Sequence, residues 1–292
     1  MLTNITTEAK TKASQLPGSA FARKLISHFR EDDVTGMAAE TAFYWIFSIP
    51  PMMILIVMTA ALLDDVANVD IVGRLRAQIE RHAPDDTVAV LNRLVDNGIA
   101  EVNGGLASVS VVVAALLAIW SGANGMGAMM KAFNRAYEVG EERTYLRKRA
   151  VAIGLTVFLV VFLNAAFVLV VYGLRIGTWL TDRLGAGDVF EQAWQVLRWP
   201  AVLIFISLAL MALYRLGPNV DQAFRETIPG AIVAMLLWLV AVSGIGIYLQ
   251  FSNPGSAYGA LGGIIVLLFF LYVTAIILLV GAEINVVLRQ DP

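Results

Sequence analysis

The sequence predicts an all-α, polytopic membrane helix bundle of six transmembrane helices with both ends on the cytoplasmic side. Three observations predict it. Hydrophobic residues make up 58% of the 292, against 15% charged, well outside the mix of soluble domains. Long intervals are wholly free of Asp, Glu, Lys and Arg, as the cost of a charge at a helix centre in lipid requires. The remaining Lys and Arg are distributed unequally between the two faces, 14 on one and 7 on the other.

Residues 1–35 are polar and read as a cytoplasmic segment, because no small-residue cleavage site follows the first apolar stretch. The spans are then expected at about 37–63, 106–130, 150–174, 199–215, 229–250 and 263–287. The last two share one uncharged interval, 227–282, too long for a single crossing of a core about 30 Å thick. It is expected to turn back through Phe251-Ser252-Asn253-Pro254-Gly255-Ser256-Ala257-Tyr258-Gly259, where Asn-Pro and Gly allow non-helical backbone. The fourth span is short, and Trp199 and Arg215 suit its two interfaces.

The charge count places the N-terminus, the basic loop 131–149 and the tail 289–292 inside. The acidic loop 64–105 is then periplasmic. In it Ile71, Leu75 and Ile79, then Val88, Leu91, Leu94 and Val95, recur at the spacing of two short amphipathic helices.

Little in the chain suits catalysis. There is no Cys, and His28 and His82 fall on opposite sides of the membrane in this topology. No HExxH or phosphate-loop signature occurs, so no catalytic residue, metal or cofactor is expected. Net charge is −2, so nucleic acid is not an expected partner. The lipid bilayer is, with anionic lipid at the basic loop, where Asn134, Arg135 and Tyr137 are candidate contacts.

Rare polar groups inside the spans are the candidate pathway or coupling residues. Glu40 and Glu283 are the intramembrane carboxylates, and such groups usually face a bundle interior or water. Tyr44 shares a helix face with Glu40, and Asn124, Tyr258 and Asn285 complete the set. Candidate helix breaks are Pro50, Pro51, Gly122, Gly125, Gly127, Pro254, Gly255, Gly259, Gly262 and Gly263. The glycines serve either close helix packing or irregular backbone along a conduit.

Four blocks then form a pattern. They are Ala38-Ala39-Glu40-Thr41-Ala42-Phe43-Tyr44 leading to Pro50; Met126 through Asn134-Arg135-Ala136-Tyr137; Tyr214-Arg215 to Pro218-Asn219 with Pro229-Gly230-Ala231; and Ala257-Tyr258-Gly259-Ala260-Leu261-Gly262-Gly263 with Gly281-Ala282-Glu283-Ile284-Asn285. Together they resemble the YihY/BrkB family of bacterial inner-membrane proteins, formerly labelled the ribonuclease BN family, from Asp32 to Asn285. Ala260 stands where the family has Ser, and Gly217 where a bulkier residue is usual. The resemblance implies a six-span inner-membrane fold without a settled activity, for which ion or lipid movement has been suggested.

The expected function is therefore a transporter-like conduit for an ion, small solute or lipid. The alternative is a non-transporting scaffold that docks partners on its acidic and basic loops. The ribonuclease label is disfavoured, because hydrolysis of a phosphodiester at a metal needs clustered His and carboxylate ligands, and His28 is the lone cytoplasmic His.

Overall fold

Why six apolar stretches stand together follows from what each presents to its neighbours. The structure, a computed structural model, describes residues 17–67, 73, 76, 77, 80, 88, 92, 93, 96, 107–184, 187–252 and 260–290. Seven helices account for nearly all of these, and there are no strands among the described residues. They are α1 (Pro17–Glu31), α2 (Val34–Ala67), α3 (Ala107–Ala136), α4 (Tyr145–Leu184), α5 (Gly187–Leu216), α6 (Phe224–Phe251) and α7 (Ala260–Gln290).

The six long helices form a closed ring in chain order. Each of α2 to α6 packs on the next, α6 packs on α7, and α7 returns to pack on α2. Short connections force α3 to α7 to run antiparallel in turn, and α3 runs against α2 because Ser121 meets Phe47 while Lys131 meets Glu40. The ring therefore gathers the start of α2, the end of α3, the start of α4, the end of α5, the start of α6 and the end of α7 at one end. The short helix α1 lies against α7.

Small side chains let the helices approach: Ala38, Ala123, Ala231, Ala234, Ala275 and Ala282 are fully buried, as membrane interfaces require. Outside, the pattern inverts, with Phe251 87% and Val240 69% exposed. Water would not tolerate that surface, and lipid does. Three stretches among the described residues are long and apolar enough to cross a membrane: Val196–Leu216, Phe224–Leu249 and Leu261–Gln290.

Several expected breaks are not breaks. α2 runs through Pro50 and Pro51. Pro51 has no N–H to give to the Phe47 carbonyl four residues back, and the Ser121 hydroxyl of α3 donates to that carbonyl instead, at 3.2 Å. α3 likewise runs through Gly122, Gly125 and Gly127. A Cβ at Gly125 would strike the Trp45 indole, and one at Gly122 would lie 2.7 Å from the Thr156 methyl, so these two glycines serve packing. Gly127 has nothing within 4 Å, and the structure gives no reason for it. Gly262 and Gly263 lie inside α7, whereas Pro254, Gly255, Tyr258 and Gly259 lie outside the described residues.

Helices also run further than the uncharged intervals. α4 and α5 extend through most of 175–198, read from sequence as a loop, and α3 and α4 leave only 137–144 of the basic segment non-helical. Charged ends near an interface cost a helix little, so absence of charge marks only its central part. In the 64–105 loop α2 continues to Ala67. Beyond it eight residues are described, all helical, and Arg76 donates to Asp96 at 2.5 Å.

Asp33 sets the joint between α1 and α2. It is left-handed at φ 50°, a conformation Asp tolerates better than most side chains. Its carboxylate accepts the Gly36 N–H at 3.2 Å, capping α2 in the manner of an N-cap aspartate. A Cβ at Gly36 would collide with that carboxylate.

Candidate functional site

Two regions of the ring carry features that packing alone does not require. The first is a central cavity of about 390 Å³. Every long helix contributes to its wall, among them Trp45 from α2, Met126 from α3, Thr156 from α4, Ala209 from α5, Met235 from α6 and Thr274 from α7. Two of the three wall hydroxyls are spent on their own helices: Ser48 donates to the Trp45 carbonyl at 2.7 Å and Thr156 to the Ala152 carbonyl at 2.8 Å, while the Thr274 hydroxyl is buried without a hydrogen-bond partner. The interior is therefore apolar, and Met126, Met129 and Met235 give it adaptable walls.

The second is the polar end of the ring. Here the structure gathers Glu40, Glu283, Asn285, Asn134, Arg135 and Tyr137, but in separate roles. Glu40 is half-exposed and paired with Lys131, at 2.9 Å and 3.1 Å to its two oxygens. Asn134 is buried; its Oδ1 accepts the Asn219 N–H at 2.6 Å and its amide donates to Glu141 at 3.1 Å. Arg135 donates to the Glu31 carbonyl at 3.1 Å and lies 3.4 Å from the Asp32 carboxylate.

Asn285 is a clamp. Its Oδ1 accepts the Gly230 N–H at 2.7 Å. Pro229 and Gly230 lie in the second turn of α6, and Asn285 ties that turn to α7 across the interface. Tyr214 hydrogen-bonds the Leu278 carbonyl at 2.9 Å, and Gln222 returns a bond to the Tyr214 carbonyl at 2.6 Å. Burial pushes the neighbouring Tyr137 hydroxyl up from the ordinary tyrosine range, with the Gln222 and Asn285 amides acting against the shift.

Two candidates sit elsewhere. Tyr44 is exposed on α2, edge-on to Phe43 at 5.7 Å. Asn124 accepts from Arg149 at 2.7 Å, and that guanidinium also bonds the Trp120 carbonyl at 3.0 Å and stacks 3.8 Å from the Trp120 ring centre. Asn124 thus helps α3 hold the Arg149 of α4.

Sequence reasoning missed Arg143. It donates to the carbonyls of Gly217 at 3.0 Å and Pro218 at 2.6 Å, where α5 ends. Arg143→Ala is expected to lower stability by about 2–3 kcal/mol, since charged hydrogen bonds are lost and half-buried carbonyls stranded. A thermal unfolding curve in detergent tests this. Arg143 also joins Arg147 and Arg215 around a pocket of about 560 Å³ floored by Val151, Leu155 and Phe158.

The larger omission concerns His28. It is not alone, as the sequence argument held: one ligand atom each from His28, Asp32 and Glu283 lie within 4.8 Å of one another. His28 Nδ1 is 3.6 Å from a Glu283 oxygen. Burial pushes the Asp32 carboxyl above the usual carboxylate range, with Arg135 and then His28 opposing. The sequence signal was the His28/Asp32 spacing of four, which puts both on one face of α1.

Long apolar helices around an apolar chamber, with polar contacts gathered at one end of the ring, define a helical membrane protein. The chain belongs to the family described as virulence factor BrkB, whose model matches residues 25–292. It is similar to a protein of Bacillus subtilis (strain 168) named as a ribonuclease-like protein, YfkH, with 31% identity over 276 residues, 93% of this chain and 96% of the relative. It is also similar to the UPF0761 membrane protein VV0203 of Vibrio vulnificus (strain YJ016), at 25% identity over 94% of this chain and 83% of the relative. A UPF0761 membrane protein of Vibrio atlanticus (strain LGP32) is 27% identical over 97% and 86%. No solved structure matches the chain.

Proposed function

We propose that this protein is a six-span carrier of the bacterial inner membrane, with cytoplasmic ends, that moves a lipid-like amphiphile rather than an ion and performs no covalent chemistry. One observation carries the reading: the 390 Å³ chamber walled by all six long helices. An ion leaving water needs several oxygens or charges to replace its hydration shell, and with the hydroxyls of Ser48 and Thr156 turned back onto backbone only that of Thr274 is left in the wall. An alkyl chain needs only apolar contact.

The arginine pocket supports the same reading. With Arg143 holding the end of α5, Arg147 and Arg215 above an apolar floor match the forked recognition of a phosphate headgroup. Such a headgroup would displace the exposed Asp221, now 3.6 Å from Arg215. The pocket opens at the end of the ring that the charge count assigns to the cytoplasm, where anionic lipid is expected.

The test is transbilayer movement in proteoliposomes. Vesicles holding the purified protein and a fluorescent phosphatidylglycerol are treated with an impermeant quencher. The protein should expose the inner-leaflet probe faster than empty vesicles do, while an internal pH dye reports no added proton leak. Equal rates with and without protein, for anionic and zwitterionic probes alike, would sink the proposal. Arg147→Ala and Arg215→Ala together should slow the anionic probe at least about tenfold relative to the zwitterionic one, each lost charged contact being worth about 1 kcal/mol or more.

A further inference from the structure

We propose that His28, Asp32 and Glu283 form a site for one divalent transition-metal cation, which ties α1 to the end of α7. The three residues come from opposite ends of the chain and meet because α1 lies against α7. His28 and Asp32 stand one turn apart on α1's face and the joint that follows it, and Glu283 completes the triangle.

The unsatisfied chemistry of this triangle points to a ligand. The Glu283 side chain is 0% exposed, yet neither of its carboxylate oxygens has a hydrogen-bond partner. His28 Nδ1 is likewise buried without one, in a side chain 12% exposed. Buried polar groups are nearly always satisfied, and an orphan calls for an explanation such as an ion. Two of these orphans, His28 Nδ1 and a Glu283 oxygen, lie 3.6 Å apart, and one cation would satisfy both. Asp32 and Glu138 add negative potential around Glu283, which favours a cation there.

The spacing suits a metal. Ligands about 2.0–2.2 Å from a common ion stand roughly 3.3–4.4 Å from each other. The His28 to Glu283 distance of 3.6 Å already meets this, and the remaining separations, within 4.8 Å, need only rotamer-scale closure. Arg135 occupies one side of Asp32, lying 3.4 Å from Oδ1, and the other carboxylate oxygen remains free to ligate. Two carboxylates neutralise a divalent charge. One imidazole with two carboxylates favours Zn²⁺, Mn²⁺ or Fe²⁺ over Mg²⁺ and Ca²⁺, which prefer all-oxygen sets.

The test uses the full chain without a histidine tag, purified in detergent, stripped with chelator and dialysed against Zn²⁺ or Mn²⁺. We expect about one ion retained per chain by elemental analysis, and a thermal midpoint raised by the metal. His28→Gln and Glu283→Gln should each weaken retention at least tenfold and abolish the midpoint shift, whereas His82→Gln and Glu40→Gln should change neither. Glu283→Gln keeps the volume of the side chain, so the midpoint of the stripped protein should stay near that of stripped wild type. Should that variant fail to fold, His28→Gln, at the more exposed ligand, decides alone. A wild-type chain that retains neither metal, or a His28→Gln chain that retains it as well as wild type, overturns the proposal.

Discussion

A Gly230→Ala chain is expected to lose about 2–6 kcal/mol of stability. A Cβ at position 230 would run into the Gly281 carbonyl oxygen and lie 2.5 Å and 2.6 Å from the Asn285 amide nitrogen and carbon. None of these can retreat cheaply. The carbonyl is α7 backbone, and the Asn285 side chain is held by the Gly230 N–H at 2.7 Å. The collision is reciprocal, since a Cβ at Gly281 would meet the Gly230 carbonyl at 2.8 Å and the Tyr214 hydroxyl. Overpacking costs about 1–3 kcal/mol and a broken buried hydrogen bond about 1–3 more. The measurement is an unfolding midpoint in detergent. Gly244→Ala on the same helix is the internal control: with nothing within 4 Å of its added Cβ, it should be neutral or gain up to about 1 kcal/mol in helix propensity. Equal effects at 230 and 244 would show that backbone propensity, not the α6–α7 contact, sets the response.

That contrast also explains what could be read in the sequence. The apolar helices were legible because lipid imposes a rule on every residue of a span: no uncompensated charge. Their ends were not, since α4 and α5 carry Arg175, Arg183 and Arg198 within their helical lengths. Glycine and proline were ambiguous for a related reason. Each weakens a helix by itself, and only the neighbour decides whether the weakness is used. Gly125 meets Trp45, and Pro51 is compensated by Ser121 from another helix.

The polar residues divide in the same way. The cost of burying a carboxylate singled out Glu283 correctly as unusual. Its partners were invisible because closure of the ring and the docking of α1, not sequence proximity, bring His28 and Asp32 to it. Asn285, two residues on, was grouped with Glu283 as pathway lining and instead clamps α6. Glu40 gave the same sequence signal as Glu283, yet Lys131 on α3 answers its charge. The central chamber had no sequence signature at all, because its wall consists of ordinary, mostly apolar helix residues from six helices.

Plugging that chamber is expected to stop transport while leaving the fold intact. Ala209 is nearly buried and lines the cavity, facing space that the Met126 and Met235 walls also border. An Ala209→Trp chain would place an indole where the proposed alkyl chain passes. Such fillings stabilise or are neutral where a void already exists, in contrast to the collision at Gly230, because the side chain gains contacts without displacing backbone. Lipid movement should fall at least tenfold, which corresponds to raising the barrier by about 1.4 kcal/mol, with an unchanged or higher unfolding midpoint. Met235→Ala makes the opposite change, enlarging the chamber, and should keep the rate at or above wild type while lowering stability by about 2–5 kcal/mol. Glu40→Gln and Tyr44→Phe, on the exposed side of α2, should leave the rate unaltered. The pair of cavity variants separates a conduit from a packing defect: a conduit responds to them in opposite directions, whereas a defect in a scaffold responds only through stability. Wild-type rates in a folded Ala209→Trp chain would show that lipid does not pass through the chamber.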